Sequence, residues 1–196
     1  MTRVFLHEAA DDENNYEVDV RLKHEDLELR RVPIAVGHMG LAAPPKAGDL
    51  VLVQFLNGDL NQPVITGRFY HDGERPPLHH ADEIVFEQRV PDGTPNHLRL
   101  TADGTIYIQR DVTKPEDNSQ AKTSIKIDGA TGNIEIKINQ TNIQITDKGI
   151  QMKDSTGNLI EMKDNAFKIT AKVPFTINAS GQPVVIVGKT IDFNKG

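Results

Sequence analysis

Cysteine is absent from this 196-residue chain, so it can form no disulfide, no thiolate metal site and no cysteine nucleophile. Tryptophan is absent too, aromatic residues make up only 5%, and hydrophobic residues 37%. A thick core for a chain of this length needs more than that, and a thin β structure with many turns fits better. No apolar run approaches the length needed to span a bilayer. The opening MTRVFLHEAADDENN, with Val4-Phe5-Leu6 as its one apolar run, reads as neither a signal peptide nor a membrane anchor. All seven histidines lie at or before His97, and the last 99 residues contain none. His79-His80 is the one adjacent pair, and neighbours in an extended segment point to opposite sides and chelate poorly. Asp11-Asp12-Glu13-Asn14 lacks the ligand spacing and the glycine of a calcium loop. No serine sits in a Gly-x-Ser-x-Gly elbow, and the glycines stand singly at turns instead of forming a phosphate cradle. No catalytic, cofactor-binding or metal-binding residue is expected, and no cofactor.

Charge is uneven. Residues 1–97 carry nine Lys/Arg against seventeen Asp/Glu, whereas residues 98–196 carry thirteen against eleven. An acidic first half argues against nucleic acid as its partner. The balanced second half reads as a solvated surface of mixed sign.

What the chain has in abundance is short alternation. From Ser124 onward, apolar pairs at i, i+2 recur every seven to ten residues: Ile125/Ile127, Ile134/Ile136/Ile138, Ile143/Ile145, Ile150/Met152, Ile160/Met162, Phe167/Ile169, Phe175/Ile177, Ile186/Gly188 and Ile191/Phe193. Polar residues separate the members, and turn residues such as Asp128-Gly129, Asp147-Lys148-Gly149 and Asp164-Asn165 separate the pairs. This is the period of strands with one apolar and one wet face. No helix is available to cover the apolar face, and an uncovered stripe of Ile, Met and Phe invites aggregation. The economical cover is the same stripe from other copies. Three intertwined chains closing a triangular prism would bury every stripe and satisfy strand edges against neighbours. A single-chain solenoid needs a longer period than eight residues.

The first half reads as a small barrel of short strands: Tyr16/Val18/Val20, Leu27–Leu29 with Val32–Val36, Leu50–Phe55, and Val64–Tyr70, with Phe55 and Phe69 as core residues. Asn57-Gly58 marks a hairpin turn and Gly67 a bulge or bend. About ninety residues of this kind fit a five-stranded OB-type barrel.

The stretch PKAGDLVLVQFLNGDLNQPVITGRFYHD, through Gly48, Asp49, Gly58, Asp59, Pro63, Ile65, Gly67, Phe69 and Tyr70, is similar to the OB domain of contractile-tail spikes: the phage baseplate assembly protein V family, other phage central spikes and VgrG spikes of type VI secretion. Asn96–Leu100, Asp103-Gly104 and Ile106–Ile108 resemble the neck of those spikes. The expected fold is therefore all-β, an OB barrel followed by an intertwined trimeric triple-stranded β-helix. The expected domains are 1–95 for the barrel, 96–123 for the neck and a polar connecting loop, and 124–196 for the needle and tip. DGERPPLHHA, residues 72–81, reads as an extended loop.

The resemblance implies a homotrimeric central spike of a phage tail or related injection system. It would assemble in the bacterial cytoplasm, dock to a tail hub and to tube or baseplate proteins, and pierce the target cell envelope. Its trimer core would be Ile125, Ile127, Ile134, Ile136, Ile143, Ile145, Ile150, Met152, Ile160, Met162, Phe167, Ile169, Phe175 and Ile177. Some relatives end in a His-x-His iron site, which a histidine-free terminus cannot make. Others end bluntly and carry a PAAR-type tip protein, here expected on Val187, Ile191, Asp192, Phe193 and Asn194. Two other readings compete: an OB-fold single-stranded nucleic-acid-binding protein with a β-rich oligomerisation tail, and a β-helical polysaccharide lyase or hydrolase.

Overall fold

The computed structural model describes residues 1–90, 94–114 and 120–192. The chain divides into two compact units, Met1–Pro76 and Pro77–Gly196. Strands dominate both, and among the described residues no helix is long and apolar enough to cross a membrane.

In the first unit β1 (Arg3–Phe5), β2 (Glu17–Arg21) and β3 (Glu28–Pro33) form an antiparallel sheet, and β4 (Leu50–Phe55) pairs with β5 (Pro63–Phe69). Three contacts close these into a barrel. Ile34 bridges Ile65 in parallel, the Ala35 N–H donates to the Ile65 carbonyl at 2.8 Å, and Met1 and Gly48–Asp49 exchange backbone bonds at the start of β4. The resulting order, β1-β2-β3-β5-β4 and back to β1, is that of a five-stranded OB barrel. Two bulges bend the strands as closure requires. In β3, Arg30 and Arg31 together oppose Asp19, and the Arg31 N–H, at φ 52°, donates to Asp19 Oδ1 at 2.9 Å. In β5, Thr66 is the extra residue beside Gly67. Val18, Val20, Val32 and Ile65 form the buried core, with Val4, Leu29, Ile34, Val51 and Val53 packed on it.

Phe69 does not join that core. It pairs with Leu50 on the outer face of β4–β5 and is 53% exposed, because the bulge at Thr66 shifts the phase of the strand beyond it. Asn57 and Gly58 adopt positive φ, but within a short 3-10 turn inside the longer connection 56–62.

The second unit is one nine-stranded antiparallel meander in which each strand pairs with the next: β6 (Ile84–Arg89), β7 (Pro95–Leu100), β8 (Ile106–Val112), β9 (Ala121–Ile127), β10 (Ile134–Ile138), β11 (Thr141–Thr146), β12 (Gly149–Lys153), β13 (Leu159–Lys163) and β14 (Ala166–Thr170). Two expectations change. The barrel unit ends at Pro76, not 95, because Ile84–Phe86 pairs with β7 instead of returning to the barrel. Much of the expected neck and polar loop is strand, with β8 running to Val112 and β9 starting at Ala121. Each strand of the meander pairs with the next one along the chain. What a single chain leaves unsatisfied is a face.

The ladder also stops early. Among the described residues no strand follows Thr170, so Phe175/Ile177 and Ile186/Gly188 form none. Pro174 and Pro183 each precede an expected strand, and neither has an N–H to give a ladder.

Candidate functional site: an apolar ladder on one sheet face

Register turns the scattered apolar pairs into two straight columns. Ile84, Leu100, Ile106, Ile127, Ile134, Ile145, Ile150, Met162 and Phe167 stand opposite one another across all nine strands. Phe86, Leu98, Ile108, Ile125, Ile136, Ile143, Met152, Ile160 and Ile169 form the second column. The pairing therefore brings together twelve of the fourteen expected core residues and adds six from β6–β8. The signal for four of those six was present as the same i, i+2 spacing in Leu98/Leu100 and Ile106/Ile108.

This face is open. Phe86 is 62% exposed, Ile108 53% and Phe167 65%. The opposite face is the buried one where β6, β7 and β8 meet: His97, Arg99 and Gln109 are all nearly inaccessible. One chain thus hides charge and shows hydrocarbon, the reverse of a folded monomer. In total it exposes 15115 Å². Two separate monomeric units of these sizes would expose roughly 11,000 Å².

Farther along, the opposite face is laced by polar side chains. Gln144 Nε2 and Asn142 Nδ2 donate to Glu135 Oε1 at 3.2 and 3.4 Å, Lys137 Nζ lies 3.0 Å from Glu135 Oε2, and Gln151 Nε2 donates to Glu161 Oε1 at 3.3 Å. Burial opposes ionisation of Glu135, but Lys137, Gln144 and Asn142 prevail and hold its pKa below the ordinary value. The turns are tied by carboxylates. Asp128 takes Lys126 Nζ at 3.0 Å and the Thr131 N–H and hydroxyl at 3.0 and 2.8 Å, which lowers its pKa to about 2 and raises that of Lys126. Asp154 likewise takes the Thr156 hydroxyl and N–H and the Asn158 N–H, and is lowered. Asp103 is lowered by the hydroxyl of Thr101 and the N–H of Thr105.

Phe175 reaches the ladder without pairing. With Val173 and Pro174 it lines a cavity of about 370 Å³ whose other wall includes Ile143, Met152, Ile160 and Ile169. Ile177 lies outside both columns and is exposed, as are Val187 at 89%, Ile191 and Asp192. Phe193 and Asn194 lie outside the described residues. Among the described residues no three His, Asp or Glu side chains gather as a metal ion would need. Sequence reasoning did not anticipate the buried Glu83, Glu87, His97 and Arg99. Charged residues alternating with Leu98 and Leu100 look the same as a solvated face.

An OB barrel joined to an antiparallel sheet with an open apolar ladder defines a class of β protein built to assemble with other chains. Comparison with known proteins narrows this. Residues 10–70 match the type VI secretion system/phage-baseplate injector OB domain, so the first unit is a barrel of that kind, and over this region the chain is similar to VgrG spikes. It is 55% identical over 57 residues to the actin cross-linking toxin VgrG1 of Vibrio cholerae serotype O1, which covers 28% of this chain and 5% of that protein. It is 46% identical over 50 residues to the type VI secretion system spike proteins VgrG2a and VgrG2b of Pseudomonas aeruginosa PAO1, covering 26% of this chain and 6% and 5% of theirs. The matched segments therefore span about a twentieth of the length of these relatives.

Proposed function

We propose that the chain is one protomer of a homotrimeric, non-enzymatic central spike of a contractile phage tail or related injection system, with its ladder facing the threefold axis. The open two-column face carries this reading. Each wall of the prism is one chain's meander, and the right-handed twist of the sheet winds the three walls around one another. The chain as a whole exposes about 4,000 Å² more than a pair of monomeric units would, and among the described residues the ladder is its one continuous apolar part. The needle then begins at Ile84, so the expected neck belongs to the shaft. The barrel docks to a hub protein and to tube or baseplate components, the particle assembles in the cytoplasm without a membrane anchor, and contraction drives the shaft through the target envelope. The exposed Val187, Ile191 and Asp192, with Phe193 and Asn194, form the seat of a PAAR-type tip protein.

Light scattering of the purified chain is expected to give about 65 kDa, three times 21.7 kDa, independent of concentration. A mass near 21.7 kDa would overturn the proposal. Co-purification with a small PAAR-type protein is expected and should be lost in a chain ending at Thr170. Recovery of none by the full chain counts against the tip assignment alone.

A further inference from the structure

Residues 77–83 belong to the part of the chain that sequence reads as an open proline-rich loop. In the structure they are tied to the polar face of β7. Arg99 Nη1 donates to Glu83 Oε2 at 2.7 Å and Arg99 Nη2 donates to the Leu78 carbonyl at 2.8 Å. One guanidinium therefore grips both ends of the segment. The side chains of Arg99 and Glu83 are 3% and 6% exposed. Glu83 Oε2 also accepts the His80 N–H at 2.9 Å, and His79 Nδ1 lies 2.8 Å from the Pro77 carbonyl. Asp82 takes φ 62°, a left-handed turn that delivers the chain into β6. One step along the same face, His97 Nε2 lies 2.9 Å from Glu87 Oε2, and Arg89 Nε donates to Glu87 Oε1 at 2.6 Å. Two acids from the β6 side thus face Arg99, His97 and Arg89.

We infer that Arg99 is a clasp: it holds residues 78–83 as a strap on the polar face of the sheet, so that the strap moves with the second unit. Geometry supports this over a general stabilising role. A planar fork can hold a carboxylate and a backbone carbonyl at once, and an ammonium on a single stem cannot match both. A buried guanidinium without these acceptors is costly, so the strap stays down while Arg99 stays in place. The use of the clasp rests on the spike reading: under load the strap stays on the sheet and does not pay out as slack.

The test is proteinase K digestion of the full chain, with cuts mapped by mass spectrometry, beside amide exchange in β6–β8 and light scattering on the same samples. The wild-type chain should resist cutting between Leu78 and Glu83. Arg99→Met should raise cutting there about tenfold, with Arg99→Lys intermediate. Because Arg99→Met leaves Glu83 buried without its cationic partner, the double variant Arg99→Met/Glu83→Met removes both charges, and is expected to keep β6–β8 protected while the strap is still cut about tenfold faster. Equal cutting of the wild type and Arg99→Met, a strap that stays resistant in the double variant, or joint loss of strap and β6–β8 protection would each overturn the clasp. A chain of monomeric mass with a protected strap would overturn the spike and leave the clasp standing.

Discussion

Asp128 holds the β9–β10 turn through Lys126 and both polar groups of Thr131, and its pKa is lowered to about 2. Asp103 and Asp154 tie their own turns in the same way and are also lowered. The sign follows from linkage. A depressed carboxylate stabilises the fold fully above its unfolded pKa, near 4, and loses that contribution as pH falls through its folded value, near 2 for Asp128. Acid should therefore loosen the turns between about pH 4 and pH 2 before it affects the uncharged ladder. Asp128→Asn removes the titrating group and the Lys126 pairing together. It should melt below the wild type at pH 7 and lose less melting temperature between pH 4 and pH 2. Thermal melts at the two ends of that window measure the difference, and equal slopes would show that Asp128 has no part in the acid response.

At the scale of the strand, legibility followed the local period. Ile134-Glu-Ile-Lys-Ile and its repeats in β9–β14 could be read because a wet residue separates every apolar pair. Ile84-Val85-Phe86 is apolar at all three positions, so its face could not be assigned, and its pairing with β7 appears only in the register. Beyond Thr170 the alternation continues without a ladder, since a strand also needs a neighbour with free N–H groups and Pro174 stands at the junction. Phe69 failed for the opposite reason, one extra residue at Thr66 reversing the phase of the strand beyond it. The β12–β13 pairing rests on a residue the periodic pattern could not flag. Gly149 has φ 153°, and a Cβ there would lie 1.8 Å from the Met162 carbonyl oxygen. Gly149→Ala should push β13 off β12 at a cost of about 2–3 kcal/mol per chain. Hydrogen exchange should show lost protection confined to β12, β13 and β14. Gly37→Ala, where a Cβ meets nothing within 4 Å, is the control and should be near neutral.

For the whole molecule, in the proposed trimer the number of strands that share the axis sets the length of the shaft, which starts at Ser124 on the sequence pattern and at Ile84 if every strand of the two columns faces the axis. A needle beginning at Ser124 would leave β6–β8 as a collar whose outward apolar residues contribute little. A shaft beginning at Ile84 makes Phe86 as much a core residue as Ile136, because both stand in the same column. The two arrangements predict different mutant series. Phe86→Ser and Ile136→Ser each remove one column member from all three chains, at about 2–5 kcal/mol per site when buried. Both should lower the melting temperature of the trimer by similar amounts, and the double variant should shift mass toward the single chain on dilution. Lys168→Ser, on the opposite face of β14, should change neither. If Ile136→Ser weakens assembly and Phe86→Ser does not, the shaft starts at the later strands and the first three form a collar. Equal losses place all nine strands on the axis.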